Sequence, residues 1–412
     1  MVGNRARAAD KESFMNIKPA ILIETPVPVH SKENPMKWTF TRTLLISALV
    51  VLFLASSALA QTVAVGNCRP NLKRYSTISL AVSSVAAGST ILICPGTYPE
   101  QVIVTRPLTL QGVQDGNTAD PIVTVPSGGL TKSVIAPTNG VTMFFQILVQ
   151  GTESGMVNIS NLAVNGSSSA NSGLNGWIEG IYYQNSSGVI NSVTTHGQKG
   201  NGYGFGIFLE GTTSTPKTVT AENGSIHDFD SEGIRTNGSA VPPSLTVNIK
   251  SNSLISSSSF SGNPVYGGID VQGAAGSVLN NRVITHPAKV GISAGTGIAL
   301  PSNSKATGNT VENFSVGIWS LGSSNTIESN QVLLAGSAVV ISASNNVVEN
   351  NLLFTTTNGG AGISFNCTGT ANTVINNLVN DSYWGISDIH GTTNTITPNS
   401  FSSVKNVISG PC

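Results

Sequence analysis

Short runs in which apolar and polar residues alternate recur along most of this chain, each closed by Gly, Ser or Asn. The plainest copy is Gly317 to Val332, where Ile318 and Ser320 mark one run and Thr326 and Glu328 the next. Period-two alternation predicts strands, and the closing residues predict tight turns. Two landmarks repeat with the runs. A Gly-Ile pair opens a strand at Gly180, Gly206, Gly233, Gly268, Gly297, Gly317, Gly362 and Gly385. An Asn follows a second strand at Asn161, Asn191, Asn223, Asn252, Asn281, Asn309, Asn330, Asn351, Asn377 and Asn399. Spacings of roughly 20 to 32 residues fall in the range of solenoid repeats. The expected fold is therefore all-β, a solenoid of about ten coils. Asn tolerates the left-handed backbone of a sharp corner, and Asn stacked coil on coil can hydrogen-bond as a ladder.

The alternation also separates inside from outside. With Ile181, Ile207, Ile234, Ile269, Ile298 and Ile318 inward, their successors Tyr182, Phe208, Arg235, Asp270, Ala299 and Trp319 face outward in one column. Gln184, Glu210, Asn237 and Gln272 form a second outward column beside it. By the same parity Glu232 turns inward or lies in the preceding loop. Polar loops lead into these strands, with His196, Lys199 and Tyr203 before one and His227, Asp228, Asp230 and Glu232 before another. Beyond residue 291 charged residues thin out and the outward column runs to Ala299, Val340, Ser364 and Ser387, so chemistry is expected between Gly180 and His286.

Charged residues make up 10% of the chain and balance to a formal charge of zero. Nothing in that balance points to nucleic acid or anionic membrane as partner, and the expectation is a monomer. Arg42, the apolar run Leu44–Leu54 and Ala58-Leu-Ala60 read as an export signal within residues 1–60. The preceding extension is atypical, and Met36 is the better start; residues 61–412 are the mature domain, secreted or periplasmic, with no stable membrane insertion. Four cysteines remain there, Cys68, Cys94, Cys367 and Cys412. Three pairings are open, and Cys68–Cys94 with Cys367–Cys412 would staple the two ends of the solenoid.

Between Tyr75 and Ala87, Ile78, Ala81, Val82 and Val85 recur at helical spacing with Gly88 as a stop. Pro95-Gly-Thr-Tyr98, Glu100, Val102, Val104 and Pro107-Leu-Thr-Leu-Gln-Gly112 follow. This opening resembles that of right-handed parallel β-helix proteins of the pectin-lyase-like superfamily, over roughly residues 75–405. The resemblance implies a right-handed parallel β-helix with an N-terminal capping helix. It also implies a polysaccharide partner and a cleft over the same outward column. The N-T-D, D-D and G-H-G motifs of polygalacturonases and the D-P-H-E of alginate epimerases are absent from the sequence.

Two reactions fit the residues of that column. In β-elimination from an acidic glycan, the first expectation, Arg235 or Lys199 serves as base or charge neutraliser, with His196 also in reach. No cofactor is required, although Asp228, Asp230 and Asp270 offer oxygen ligands for Ca²⁺. In glycoside hydrolysis, the second, two carboxyls among Asp228, Asp230, Glu232, Glu210 and Asp270 flank the bond. Tyr182, Phe208, Tyr203, Glu210, Asn237 and Gln272 are the expected sugar contacts, rings for sugar faces and polar groups for hydroxyls. Tyr182 and Phe208 have a second reading, as packing for a loop folded over the strands. A non-catalytic surface or scaffold module using the same groove remains a rival of another class.

Overall fold

The computed structural model describes residues 59–412 apart from 115, 117–119, 153–154, 172, 200–202, 239–243, 257–266, 286–294, 357–359, 367–368, 388–392 and 409–412. The export signal to residue 58, and Cys367 and Cys412, lie outside the described residues. The alternating runs are strands, stacked into three long sheets of 13, 12 and 13 strands. Between Thr90 and Ser387 each coil contributes one strand to each sheet. In the plainest copy Val316–Ser320 joins sheet three, Thr326–Glu328 sheet one and Gln331–Ala335 sheet two. Pairing is parallel except where Ser133–Ile135 runs antiparallel along Thr142–Gln150. The sheets hold more coils than the ten expected, because the first coils carry neither the Gly-Ile nor the Asn landmark.

The isoleucine column lies in register from Ile181 through Ile207, Ile234, Ile269, Ile298 and Ile318 to Ile386, wholly inside the core. The glycine before each Ile also faces the core. A Cβ on Gly206 would meet Ile226 Cγ2 at 2.5 Å, and one on Gly233 would meet Leu254 Cδ2 at 2.5 Å. Val283, Val311, Val332 and Val379 block the same position at Gly268, Gly297, Gly317 and Gly362. Two successive inward residues turn the strand at a corner of the coil and break the parity beyond it. The residue before each glycine therefore faces out.

Seven of the ten landmark asparagines form the ladder. From Asn252 through Asn281, Asn309, Asn330, Asn351 and Asn377 to Asn399, each side-chain amide donates to the next Oδ1 at 2.9–3.0 Å. The ladder residues do not themselves adopt the left-handed conformation. Their predecessors Ser251, Asn280, Gly308, Ser329, Asn350 and Asn376 do. Asn161 and Asn223 fall one position early, on the left-handed residue itself, and Gly224 fills the ladder site in that coil. A second ladder links Asn346 to Asn372 and Asn372 to Asn394 at 3.1 and 3.2 Å.

The helix Ile78–Ser84 covers the first coil with Ile78, Ala81 and Val82 buried. Thr77 caps it by accepting from Leu80 N, and the Glu100 carboxylate accepts from Ile78 N and Ser79 N at 2.8 Å each. Tyr98 donates its hydroxyl to Cys94 O at 2.7 Å. The Pro95–Glu100 motif is thus a capping device. Cys68 and Cys94 form the expected disulfide at this end, which fits an oxidising compartment. No helix among the described residues is long and apolar enough to cross a membrane.

Candidate functional site

Sheet three's outer face carries the expected column in register: Tyr182 pairs with Phe208, Phe208 with Arg235, and Arg235 with Asp270. The inward glycines add a parallel outer column, Phe145, Glu179, Phe205 and Glu232. Glu179 and the outward orientation of Glu232 escape strict alternation. The signal that reveals both is a glycine whose Cβ would strike the core.

The centre of the face is a charged group built on two neighbouring coils. Arg235 donates Nη1 to Glu232 Oε1 at 3.3 Å and Nη2 to Gln272 Oε1 at 3.4 Å. Gln272 in turn donates Nε2 to Asp270 Oδ2 at 2.5 Å. Thr236 Oγ1 accepts from Gln272 N at 2.9 Å and fixes that residue's backbone. The guanidinium also lies over the Trp177 and Phe205 rings, 5.1 and 5.7 Å from their centroids. Trp177 stacks on Tyr203 at 5.9 Å. An aromatic wall thus stands beside one cation and two carboxyls.

Both carboxyls hold protons more tightly than usual. Burial pushes Glu232 well above the ordinary carboxyl range, the charge of Asp270 adds to it, and Arg235 opposes. Burial also raises Asp270, but Arg235 and the Gln272 amide favour its ionised form. Glu232 Oε2 and Asp270 Oδ1 are buried without a hydrogen-bond partner. Those atoms are the two unused acceptor positions of the group.

The other expected contacts are placed differently. Tyr182 and Phe208 are fully buried, and Glu210 is 1% exposed. A strap of residues 130–141 lies over them. Its Thr138 donates Oγ1 to Glu210 Oε1 at 2.5 Å, and Tyr182 donates its hydroxyl to Glu210 Oε2. Asn237 donates Nδ2 to Thr138 Oγ1 at 2.6 Å. The second reading of Tyr182 and Phe208, packing under a folded loop, is the arrangement found: they form a small outer core with Phe145, Leu148, Phe205 and Ala136. The strap covers Tyr182, Phe208 and Glu210 and engages Asn237, whereas Gln272 contacts Arg235 and Tyr203 stacks on Trp177.

The loop residues gather elsewhere. His196 and His227 end successive strands of sheet two and stack at 5.1 Å with planes 8° apart. His227 Nδ1 lies 2.9 Å from Asp228 Oδ2. Burial and the neighbouring His227 lower the proton affinity of His196, against the pull of Asp228. Asp230 is half-buried with its N–H donated to Gln198 O at 3.2 Å, and Lys199 is exposed. Among the described residues no three His, Cys, Asp or Glu converge as metal ligands, so Asp228, Asp230 and Asp270 do not form one Ca²⁺ cage. Sheet two's corner holds Asp228 beside a histidine, while Asp270 sits on sheet three beside Arg235.

A family model described as a right handed beta helix region matches residues 243–401. The chain is a right-handed parallel β-helix. Among solved structures, this β-helix resembles DFA-IIIase from Arthrobacter chlorophenolicus A6 without its lid, at 14% identity over 84% of this chain and 99% of that one, with a TM-score of 0.52. It also resembles GH136 lacto-N-biosidase from Eubacterium ramulus (12% identity, 88% and 71% covered, TM-score 0.48). A third is the A-module of a mannuronan C-5 epimerase from Azotobacter vinelandii (12%, 80% and 90%, TM-score 0.45). No curated protein matches the sequence. At these identities the likeness is one of fold alone.

Proposed function

We propose that this β-helix is an exported carbohydrate-active enzyme that cleaves a polysaccharide by acid–base chemistry at Glu232, Arg235 and Asp270. The carrying observation is the pair of buried carboxyls, both with raised proton affinity, joined through Arg235 and Gln272 beside the Trp177–Tyr203 wall. Two carboxyls in unequal surroundings divide into acid and base. Glu232 lacks a neutral hydrogen-bond donor and is the general acid that protonates the leaving oxygen. Asp270 is favoured in its ionised form by the Gln272 amide, and it activates water or attacks the sugar carbon. Trp177 and Tyr203 supply ring faces for the sugar. The reading rests on these side chains.

Arg235 supports β-elimination from a uronate as a second reading, because a fixed guanidinium can neutralise the carboxylate beside the proton removed. The product decides between them. Incubating the exported protein with pectate, alginate, a glycosaminoglycan and neutral glucans should yield new reducing ends without the ultraviolet absorbance of an unsaturated uronate. Glu232→Gln and Asp270→Asn should each abolish that yield. Absorbing product would move the reaction to elimination, and retention on a glycan column with no product would leave a binding module.

A further inference from the structure

The side chain under the strap that no packing requirement explains is Glu179. It is fully buried, and beyond its own backbone neither carboxyl oxygen has a hydrogen-bond partner. Burying a polar group unpaired costs stability. The fold does not need a carboxyl here, since the same position on the two adjoining coils is Phe145 and Phe205. Burial and then the nearby Glu210 raise the proton affinity of Glu179, against its own backbone N–H, and a protonated carboxyl presents a donor as well as an acceptor.

Around it stands a set of groups suited to a sugar but occupied by the chain itself. The Thr138 hydroxyl lies 2.5 Å from Glu210 Oε1, where a sugar hydroxyl would sit. Gln184 donates Nε2 to the Tyr182 hydroxyl at 3.0 Å and to Ile135 O at 3.5 Å. Ala136, Val134 and Val141 of the strap lie against the aromatic cluster of Tyr182 and Phe208. The strap is anchored at its base, where Gln101 Oε1 accepts from Thr131 N and Lys132 N at 2.8 and 2.9 Å. Beyond that base it is held by three antiparallel register pairs and the Thr138 contacts.

We propose that the face beneath residues 130–141 is a concealed sugar subsite, opened when the strap lifts about its base at Thr131–Lys132. In it Glu179, Glu210 and Gln184 bind hydroxyls, and Tyr182 and Phe208 take a ring face. The ligand is a neutral pyranose, because two carboxyls face it while the adjacent cation, Arg235, is already engaged by Glu232 and Gln272. The identity of the ligand rests on the carbohydrate function proposed above.

Two variants of the full exported chain test this, with cellohexaose, xylohexaose and oligogalacturonate as probes in calorimetric titration. Glu179→Met removes an unpaired buried carboxyl, so it should raise the melting temperature while weakening neutral hexaose binding at least tenfold. Thr138→Cys with Asn237→Cys should crosslink the strap shut, abolishing that binding until dithiothreitol is added, with mass spectrometry reporting the bond. A Glu179→Met chain that melts lower, fails to fold or binds neutral hexaose unchanged overturns the subsite; so does a crosslinked chain that still binds. If the pair does not crosslink, the Glu179→Met result decides. A native chain that engages oligogalacturonate but neither neutral hexaose overturns the subsite and leaves the proposed function standing. One that engages no glycan overturns both.

Discussion

Glu232 and Arg235 stand three positions apart on one strand and yet share its outer face, with carboxylate and guanidinium 3.3 Å apart. A regular strand would put them on opposite faces. Gly233 and Ile234 both turn inward between them, and only glycine fits, because a Cβ would meet Leu254 Cδ2 at 2.5 Å, Gly268 O at 3.0 Å and Phe229 Cε1 at 3.2 Å. The corner that closes the coil is also what brings acid and cation together.

Gly233→Val should therefore lose both stability and activity. Overpacking a filled core costs about 1–3 kcal/mol, to be read as a shifted urea midpoint, and displacement of Glu232 should remove polysaccharide cleavage. Gly317→Val meets the same obstruction from Val332, away from the charged group. It should lower the midpoint comparably while the folded fraction keeps its turnover. Equal loss of turnover in both variants would show that the corner acts only through stability.

Arg235 contacts the buried Glu232 directly and reaches the buried Asp270 through Gln272. Its side chain is 13% exposed and that of Glu232 1%. Arg235→Met should destabilise most at a pH where a carboxyl of the group is ionised, by up to about 3–5 kcal/mol, the range for removing one partner of a buried ion pair. Because it leaves Glu232 and Asp270 facing each other, the deficit should shrink as both carboxyls are protonated. Arg235→Lys keeps the charge but loses the planar fork and the stacking on Trp177. It should recover part of the stability and little of the activity, measured by denaturation and by reducing-end release.

The carboxyls also set a pH dependence whose sign is opposite to that of an ordinary salt-bridged acid. Glu179 and Glu232 are both raised well above the reference value of 4.5, chiefly by burial. In the folded state they keep protons that the unfolded chain releases, so stability is fully present below that reference and falls as pH rises through the folded values. Urea unfolding across acid to neutral pH should show this decline. It should flatten in the double variant Glu179→Gln, Glu232→Gln. A stability profile that rises over that window would contradict the protonated state assigned to both groups.

How much of this was legible in the sequence depends on which regularity each residue obeys. The isoleucine column and its outward successors follow from period two alone, so Arg235 beside Asp270 could be placed without coordinates. Glu232 and Glu179 could not, because they sit across a corner where parity breaks; the Gly-Ile pair signals that corner only once glycine is read as a Cβ excluded from the core. The burial of Tyr182, Phe208 and Glu210 depends on Thr138, which lies 72 positions from Glu210 in sequence and belongs to no repeat. Local periodicity carries no information about such a contact. Asn161 and Asn223 misled for another reason: Asn suits both the left-handed corner and the ladder position next to it, so composition alone cannot fix the register.

The ladder itself makes the sharpest stability prediction. Asn309 Oδ1 accepts from Asn281 N and Nδ2 at 2.9 and 3.0 Å, and its own amide donates to Asn330 Oδ1 and Val278 O at 2.9 and 2.8 Å. All four contacts are buried, so Asn309→Ala leaves Asn281 N, Asn281 Nδ2 and Val278 O without this partner, while Asn330 Oδ1 keeps the bond from Asn309 N at 2.9 Å. At about 1–3 kcal/mol for each buried group left unpaired, the loss should far exceed that of an ordinary truncation. Asn309→Asp preserves the acceptor but removes the donor, and it should restore only the Asn281 half of the ladder. Asn223→Gly, which exchanges one residue suited to a positive φ for another outside the ladder, should change stability by no more than a few tenths of a kcal/mol. Urea midpoints at constant slope would rank the three as Asn223→Gly, Asn309→Asp, Asn309→Ala in falling stability. Hydrogen exchange should show the extra opening in Asn309→Ala at the amide of Asn281, the donor left without its acceptor.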